Sequence, residues 1–87
     1  MIVYDFSFRS LTGAQTGRSV LQDTGIASAL MRAPRQISEQ GCGYVLEVAE
    51  PEGALAAQVL RSRQISFRRL FRQYENGEIE DVTYDLF

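Results

Sequence analysis

The sequence predicts an α+β fold, and three observations carry that prediction. Apolar residues alternate along 2–9 with the period of a strand, two later stretches carry helix start and stop signals, and apolar runs of strand length lie between and after them. The chain has 87 residues, room for one domain with one core. A domain of this size buries only about 60% of the surface of its unfolded chain, so modest stability is expected, and a dimer that covers a further face is a natural supplement. A hydrophobic fraction of 45% argues against global disorder.

Along 2–9, Ile2, Tyr4, Phe6 and Phe8 point one way, and Val3, Asp5, Ser7 and Arg9 the other, as in a half-buried strand. Tyr4, Phe6 and Phe8 read as core residues rather than as a stacking platform. Thr12 and Gln15 fit a capping box, which starts a helix that runs to about Thr24. Its inner face carries Ala14, Gly17, Val20 and Leu21. Gly17 costs about 1 kcal/mol in a helix interior relative to Ala, and close approach to a sheet would compensate. Gly25 sits where a C-terminal capping glycine belongs. Residues 26–33 form a second strand, ended by Pro34. Residues 35–43 are polar, with a short helical turn at Ile37–Gln40. A third strand spans Tyr44–Ala49. Pro51, between Glu50 and Glu52, starts a second helix to about Arg63 that buries Leu55, Ala56, Val59 and Leu60. Ile65 to about Tyr74 is a fourth strand. Phe67 and Phe71 share its phase and Leu70 does not, which calls for a bulge or for burial on both faces. Asn76-Gly77 is a turn signal, after which Ile79–Phe87 either pairs as a short edge strand or stays a loose tail.

The order is β-α-β-β-α-β plus a tail. That order suggests a ferredoxin-like two-layer sandwich with both helices on one face of an antiparallel sheet. Residues 1–77 form the domain, and 78–87 are an acidic C-terminal tail or edge strand.

Net charge is −2, so the basic surplus of a nucleic-acid binder is missing. All nine basic residues are Arg. Five of them lie between Arg61 and Arg72 without an acid, and five acids follow from Glu75 to Phe87 without a base. The two stretches either ignore each other in solvent or attract, within one chain or across a dimer. The Arg block reads as a solvated face more readily than as an anion site. The end of the chain could also dock on a sheet edge. No apolar run reaches the roughly 20 residues of a membrane helix, and no signal peptide is visible. The cytoplasm is the expected compartment, with a reduced thiol.

Chemistry narrows by elimination. Without His there is no Ser-His-Asp or Cys-His pair. One Cys and no His cannot make a structural zinc site. No phosphate-binding glycine loop or dinucleotide fingerprint occurs, so no metal or cofactor is expected. What remains is Gly41-Cys42-Gly43-Tyr44, preceded by Pro34-Arg35. Glycines on both sides of Cys42 permit unusual backbone angles and close approach to the sulfur. A thiol becomes reactive when ionised, and Arg35 and Arg32 are the sequence-near cations that would favour this. The opposing interpretation is an inert cysteine packed as a small hydrophobe.

The runs Phe8-Arg9-Ser10-Leu11-Thr12, Val20-Leu21, Gly25-Ile26, Ala33-Pro34-Arg35, Ile37-Ser38 and Gly41-Cys42-Gly43-Tyr44 together resemble the putative selenium/sulfur carrier protein-like family, over roughly residues 4–48. The resemblance implies a compact bacterial, cytoplasmic α/β domain whose Cys-Gly is the carrier site. In that family the position of Ala33 is often Thr, so a hydroxyl near the loop is missing here. The implied role is a carrier rather than an enzyme. Cys42 would hold a persulfide or perselenide taken from a donor protein and passed to an acceptor. Arg35 would stabilise the thiolate, while the backbone around Gly41 and Gly43, with Tyr44, would hold the terminal anionic sulfur. Two other function classes stay open. One is a non-catalytic interaction or dimerisation module with a structural cysteine. The other is a sensor of an anion near Arg35 and the Arg block.

Overall fold

The computed structural model describes residues 1–39 and 41–84. Its elements run β1 (Val3–Phe8), α1 (Leu11–Asp23), β2 (Ala29–Arg32), α2 (Arg35–Ser38), β3 (Tyr44–Ala49), α3 (Glu50–Ser62), β4 (Arg69–Gln73) and β5 (Ile79–Asp81). The fold is α+β. Five strands form one sheet in the order β2-β3-β1-β4-β5, with every neighbouring pair antiparallel.

β1 is the centre of the sheet. It pairs with β3 from Val3↔Ala49 to Phe8↔Tyr44 and with β4 from Val3↔Gln73 to Ser7↔Arg69. Tyr4, Phe6 and Phe8 point to one face, where they meet Leu46, Val48 and Leu70 from the neighbouring strands and Ala14, Leu21, Ala56, Ala57 and Leu60 from α1 and α3. This is the main core. The other face of β1 is also buried, because Asp5 and Ser7 are shut off from solvent. A strand expected to be half-buried is therefore enclosed on both sides.

α1 begins earlier than the Thr12 capping box implies. Ser10 is the cap. Its backbone is extended, and its hydroxyl accepts from the Gly13 amide at 3.0 Å, which satisfies one of the helix's orphan donors. Gly17 lies under the sheet as anticipated, since a Cβ there would stand 3.1 Å from Leu46 and from Phe8. The helix ends on Gly25 at φ +80°, with the Ile26 amide bonded back to the Leu21 carbonyl. Ile26 then enters the main core, so β2 is shorter than 26–33. α2 starts at Arg35 rather than Ile37, and Gln40 lies outside the described residues.

In α3, Pro51 occupies the first turn with Glu50 and Glu52. Its inward stripe is Gly53, Ala56, Ala57 and Leu60, spaced i, i+3, i+4, i+7. Leu55 is off that stripe and exposed, contrary to expectation. Gly53 sits directly on the Tyr4 ring. β4 is limited to Arg69–Gln73, and it buries Leu70 on the helix side and Phe71 on the other, so burial on both faces accounts for its broken alternation. Phe67 precedes the strand and packs edge-on against Phe6 at 5.0 Å. Gly77, at φ +90°, closes the turn that folds β5 onto β4. The paired β5 is the edge-strand alternative, and residues 85–87 lie outside the described residues.

The Cys42 face as a candidate functional site

The sheet face away from α1 and α3 carries a second, smaller cluster. Ile37 from α2, Cys42, Val45 from β3 and Phe71 from β4 are buried together, with Ala33 and Ile79 packed against them. Val45 lies opposite Ser7 and Phe71 opposite Asp5. β3 and β4 flank β1, so the cluster that joins them passes over β1 at these two residues. α2 brings Ile37 to this face because Pro34 sets an extended entry and the Ile37 and Ser38 amides bond to the Pro34 carbonyl at 2.9 Å.

Cys42 is 1% exposed. Gly41, on one side of it, holds φ +88°, a conformation that favours glycine. Gly43, on the other, has no neighbouring atom within 4 Å of an added Cβ, so the backbone beside the sulfur is open although the sulfur is covered. The Ala33 amide bonds to the Gly43 carbonyl at 3.0 Å, tying the two ends of this excursion together.

The other residues singled out in the sequence do not converge on the thiol. Arg35 stands at the start of α2 with its side chain 90% exposed, and its Nε pairs with Glu39 at 3.3 Å. Tyr44 turns to the helix side of the sheet, where the Arg32 guanidinium lies 5.7 Å from its ring centroid. The Arg-rich and acidic stretches do meet within the chain. Arg69 pairs with Asp81 at 3.6 Å and Arg72 with Glu80 at 3.9 Å, while Arg72 also donates to the Tyr4 hydroxyl at 2.9 Å. Two solvated stretches that ignore each other are thus ruled out for these pairs, because the β4–β5 register places them side by side. Asp85 lies outside the described residues. Among those residues no group of three or more metal-ligating side chains occurs, and no helix is long and apolar enough to cross a membrane.

Sequence reasoning missed Asp5. Both of its carboxylate oxygens are buried without a hydrogen-bond partner among the described residues, and its cross-strand neighbours on this face are Glu47 and Phe71. Burial pushes its pKa up from 3.8 to about 7, and the neighbouring Glu47 charge adds to the effect. An acid group in this state can hold or release a proton near neutral pH. One signal was present in the sequence: an aspartate, a residue disfavoured in strands, between Tyr4 and Phe6 in an aromatic-rich strand.

A family model described as "Putative Se/S carrier protein-like" matches residues 4–72. That span runs from within β1 to within β4 and includes Ile37, Val45, Phe71 and Cys42. No curated protein and no solved structure gives a significant match.

Proposed function

Because the chain belongs to the Putative Se/S carrier protein-like family, we propose that Cys42 is its carrier residue. The observation that carries the reading is the family match around the chain's one cysteine. In the step envisaged, the Cys42 thiolate attacks the outer sulfur of a persulfide on a donor protein. A new S–S bond forms at Cys42, the donor's own S–S bond breaks, and the donor cysteine leaves as a thiolate. No external oxidant or reductant is required. Transfer to an acceptor thiol repeats the exchange with Cys42 as leaving group, and selenium would follow the same path as a perselenide. Gly41 and Gly43 support the reading by leaving the backbone beside the sulfur uncrowded for the partner and for the terminal anionic sulfur. Arg35 and Tyr44 belong to this proposal as residues beside the opened loop, Arg35 facing the incoming donor. The strand order is read as a ferredoxin-like sandwich extended at one edge by β5.

Incubation with a cysteine desulfurase and isotopically labelled cysteine, followed by intact mass, tests the assignment. The chain should gain one labelled sulfur atom, and Cys42→Ser should gain none. A wild type that stays unmodified, or equal gain on the variant, removes the proposal.

The burial of Cys42 favours a second reading, a non-catalytic interaction module in which the cysteine packs as a small hydrophobe. Cys42→Ala would then leave partner binding and self-association intact, whereas a carrier loses all transfer. Light scattering with and without residues 78–87, over a range of salt, reads the homodimer that this alternative allows.

A further inference from the structure

A carrier sulfur must meet a thiol on another protein, yet Cys42 is closed off beneath its own cluster. The closed form is therefore a resting form, and something must open it. The helix side of the sheet is sealed by two thirteen-residue helices. The Cys42 side carries one short helix, the four-residue α2, whose one buried residue is Ile37 and whose first turn has no side-chain cap. Its ion pair, Arg35–Glu39, is solvent-exposed and adds little. Opposite Phe71 of the same cluster lies Asp5, with two buried carboxylate oxygens that no described residue satisfies.

We propose that Asp5 is a proton-operated latch on the cover of Cys42: neutral, it stays beneath the closed α2, and ionised, it draws water under α2 and lifts it to present the thiol. The proposal deepens the carrier reading and rests on it. A neutral carboxylic acid tolerates an apolar enclosure, whereas an unpaired carboxylate must be hydrated or neutralised. Among the described residues no other group compensates the charge. From β3 the facing residue is Glu47, of the same sign. From β4 it is Phe71, with Arg69 one pair further along and engaged by Asp81 of β5 at 3.6 Å. From the cover come Ile37 and the Cys42 thiol, since Arg35 and Glu39 are paired outside.

The direction follows from linkage. The closed form holds the Asp5 proton up to about pH 7, while a hydrated Asp5 loses it near 3.8. Opening therefore grows by up to about tenfold per pH unit between those values and levels off above the higher one. The thiol is presented at neutral pH and shut away in acid.

Amide hydrogen exchange of the intact chain from pH 5 to 8, expressed as protection relative to free peptide, tests this. The Ile37, Ser38 and Glu39 amides, all hydrogen-bonded across α2, should lose protection by about tenfold per unit up to pH 7 and then plateau. Leu21 and Leu60, in the main core, exchange through costlier openings, so the α2 amides should stay less protected than they are at every pH. In Asp5→Asn the α2 amides should show no such slope. Glu47→Gln, which removes the facing charge, should move the plateau to lower pH and provides a second handle if the Asn variant folds poorly. A flat profile for α2 in wild type, an unchanged slope in Asp5→Asn, or α2 protection equal to that of Leu21 and Leu60 would overturn the latch. None of these readouts involves sulfur, so failure here is distinct from failure of the labelling experiment.

Discussion

Replacing Asp5 by Asn should change how the stability of the whole protein depends on pH, by an amount the structure bounds. In the folded chain burial raises Asp5 to about 7, against 3.8 when hydrated. A group whose folded value is raised binds its proton more tightly in the native state. Its contribution is therefore complete below about pH 4, declines as pH climbs toward 7, and is constant above. At 1.36 kcal/mol per pH unit the full loss is about 4 kcal/mol. A chain of this length has roughly 4–13 kcal/mol in total, so the effect is large enough to see. The loss shrinks where opening of α2 hydrates the carboxylate at lower cost than global unfolding. Asn cannot ionise, and its buried amide is as unpartnered as the neutral acid. The two proteins should thus be similar near pH 4.5, and the variant should be the more stable by about 1–4 kcal/mol at pH 8. Urea unfolding at several pH values, analysed as variant minus wild type, removes the titration of the other carboxylates, including Glu75, which the N-terminal ammonium holds below the usual range. A pH-independent difference, or a wild type that gains on the variant as pH rises, would refute the assignment of Asp5 as a buried, unpaired acid.

Two further substitutions test the packing that positions the site. In Gly53→Ala the new methyl would overlap three Tyr4 ring carbons, and the ring is anchored by Arg72 on its hydroxyl. Overpacking of about 3 kcal/mol, less about 1 kcal/mol of helix propensity, predicts a loss of about 2 kcal/mol, read by urea unfolding, while Gly17→Ala, whose contacts are at 3.1 Å, stays near neutral. Thr83→Val removes the hydroxyl that accepts from the Leu70 amide at 2.9 Å, leaving a buried donor in β4 unpaired. The cost should be about 1–3 kcal/mol, seen as a lower urea midpoint with unchanged slope.

Local patterns that report on one element were legible in the sequence. The alternation of Tyr4, Phe6 and Phe8 located the main core, Gly25 and Asn76-Gly77 located two chain reversals, and Pro51 with its glutamates located the start of α3. What escaped depends on a second element. Leu55 and Ala57 have equal claims on a helical wheel until the position of Tyr4 selects the Gly53 stripe. Ser10 and Thr12 are both capping residues, and only the extended backbone at Ser10 decides between them. The burial of Asp5 goes with a cluster from three other segments on that sheet face, which no periodicity encodes. Cys42 was identifiable because it is the one thiol, and its enclosure was invisible because it is made by Ile37, Val45 and Phe71 from three separate segments.

The two faces of the sheet are built on different principles. On the helix side, large apolar residues of β1 meet small residues of α1 and α3, and Gly17 and Gly53 let the layers approach closely. On the Cys42 side the central strand presents Asp5 and Ser7, flanked by a small cluster to which the one-turn helix α2 contributes Ile37. Ser7 is satisfied, since it accepts from the Arg69 amide at 3.1 Å and donates to the Arg69 carbonyl at 3.3 Å. Asp5 is not. An apolar residue would pack there without an ionisation penalty, and buried unsatisfied polar groups are few in native proteins. Local conflict of this kind concentrates where a protein must move or react. Here it lies at the middle of the sheet, one strand pair from Phe71 and beneath the cluster that holds the chain's one cysteine. The unpaired acid at Asp5 and the cluster around Cys42 thus share one face of the sheet, the face that the proposed sulfur exchange would require to open.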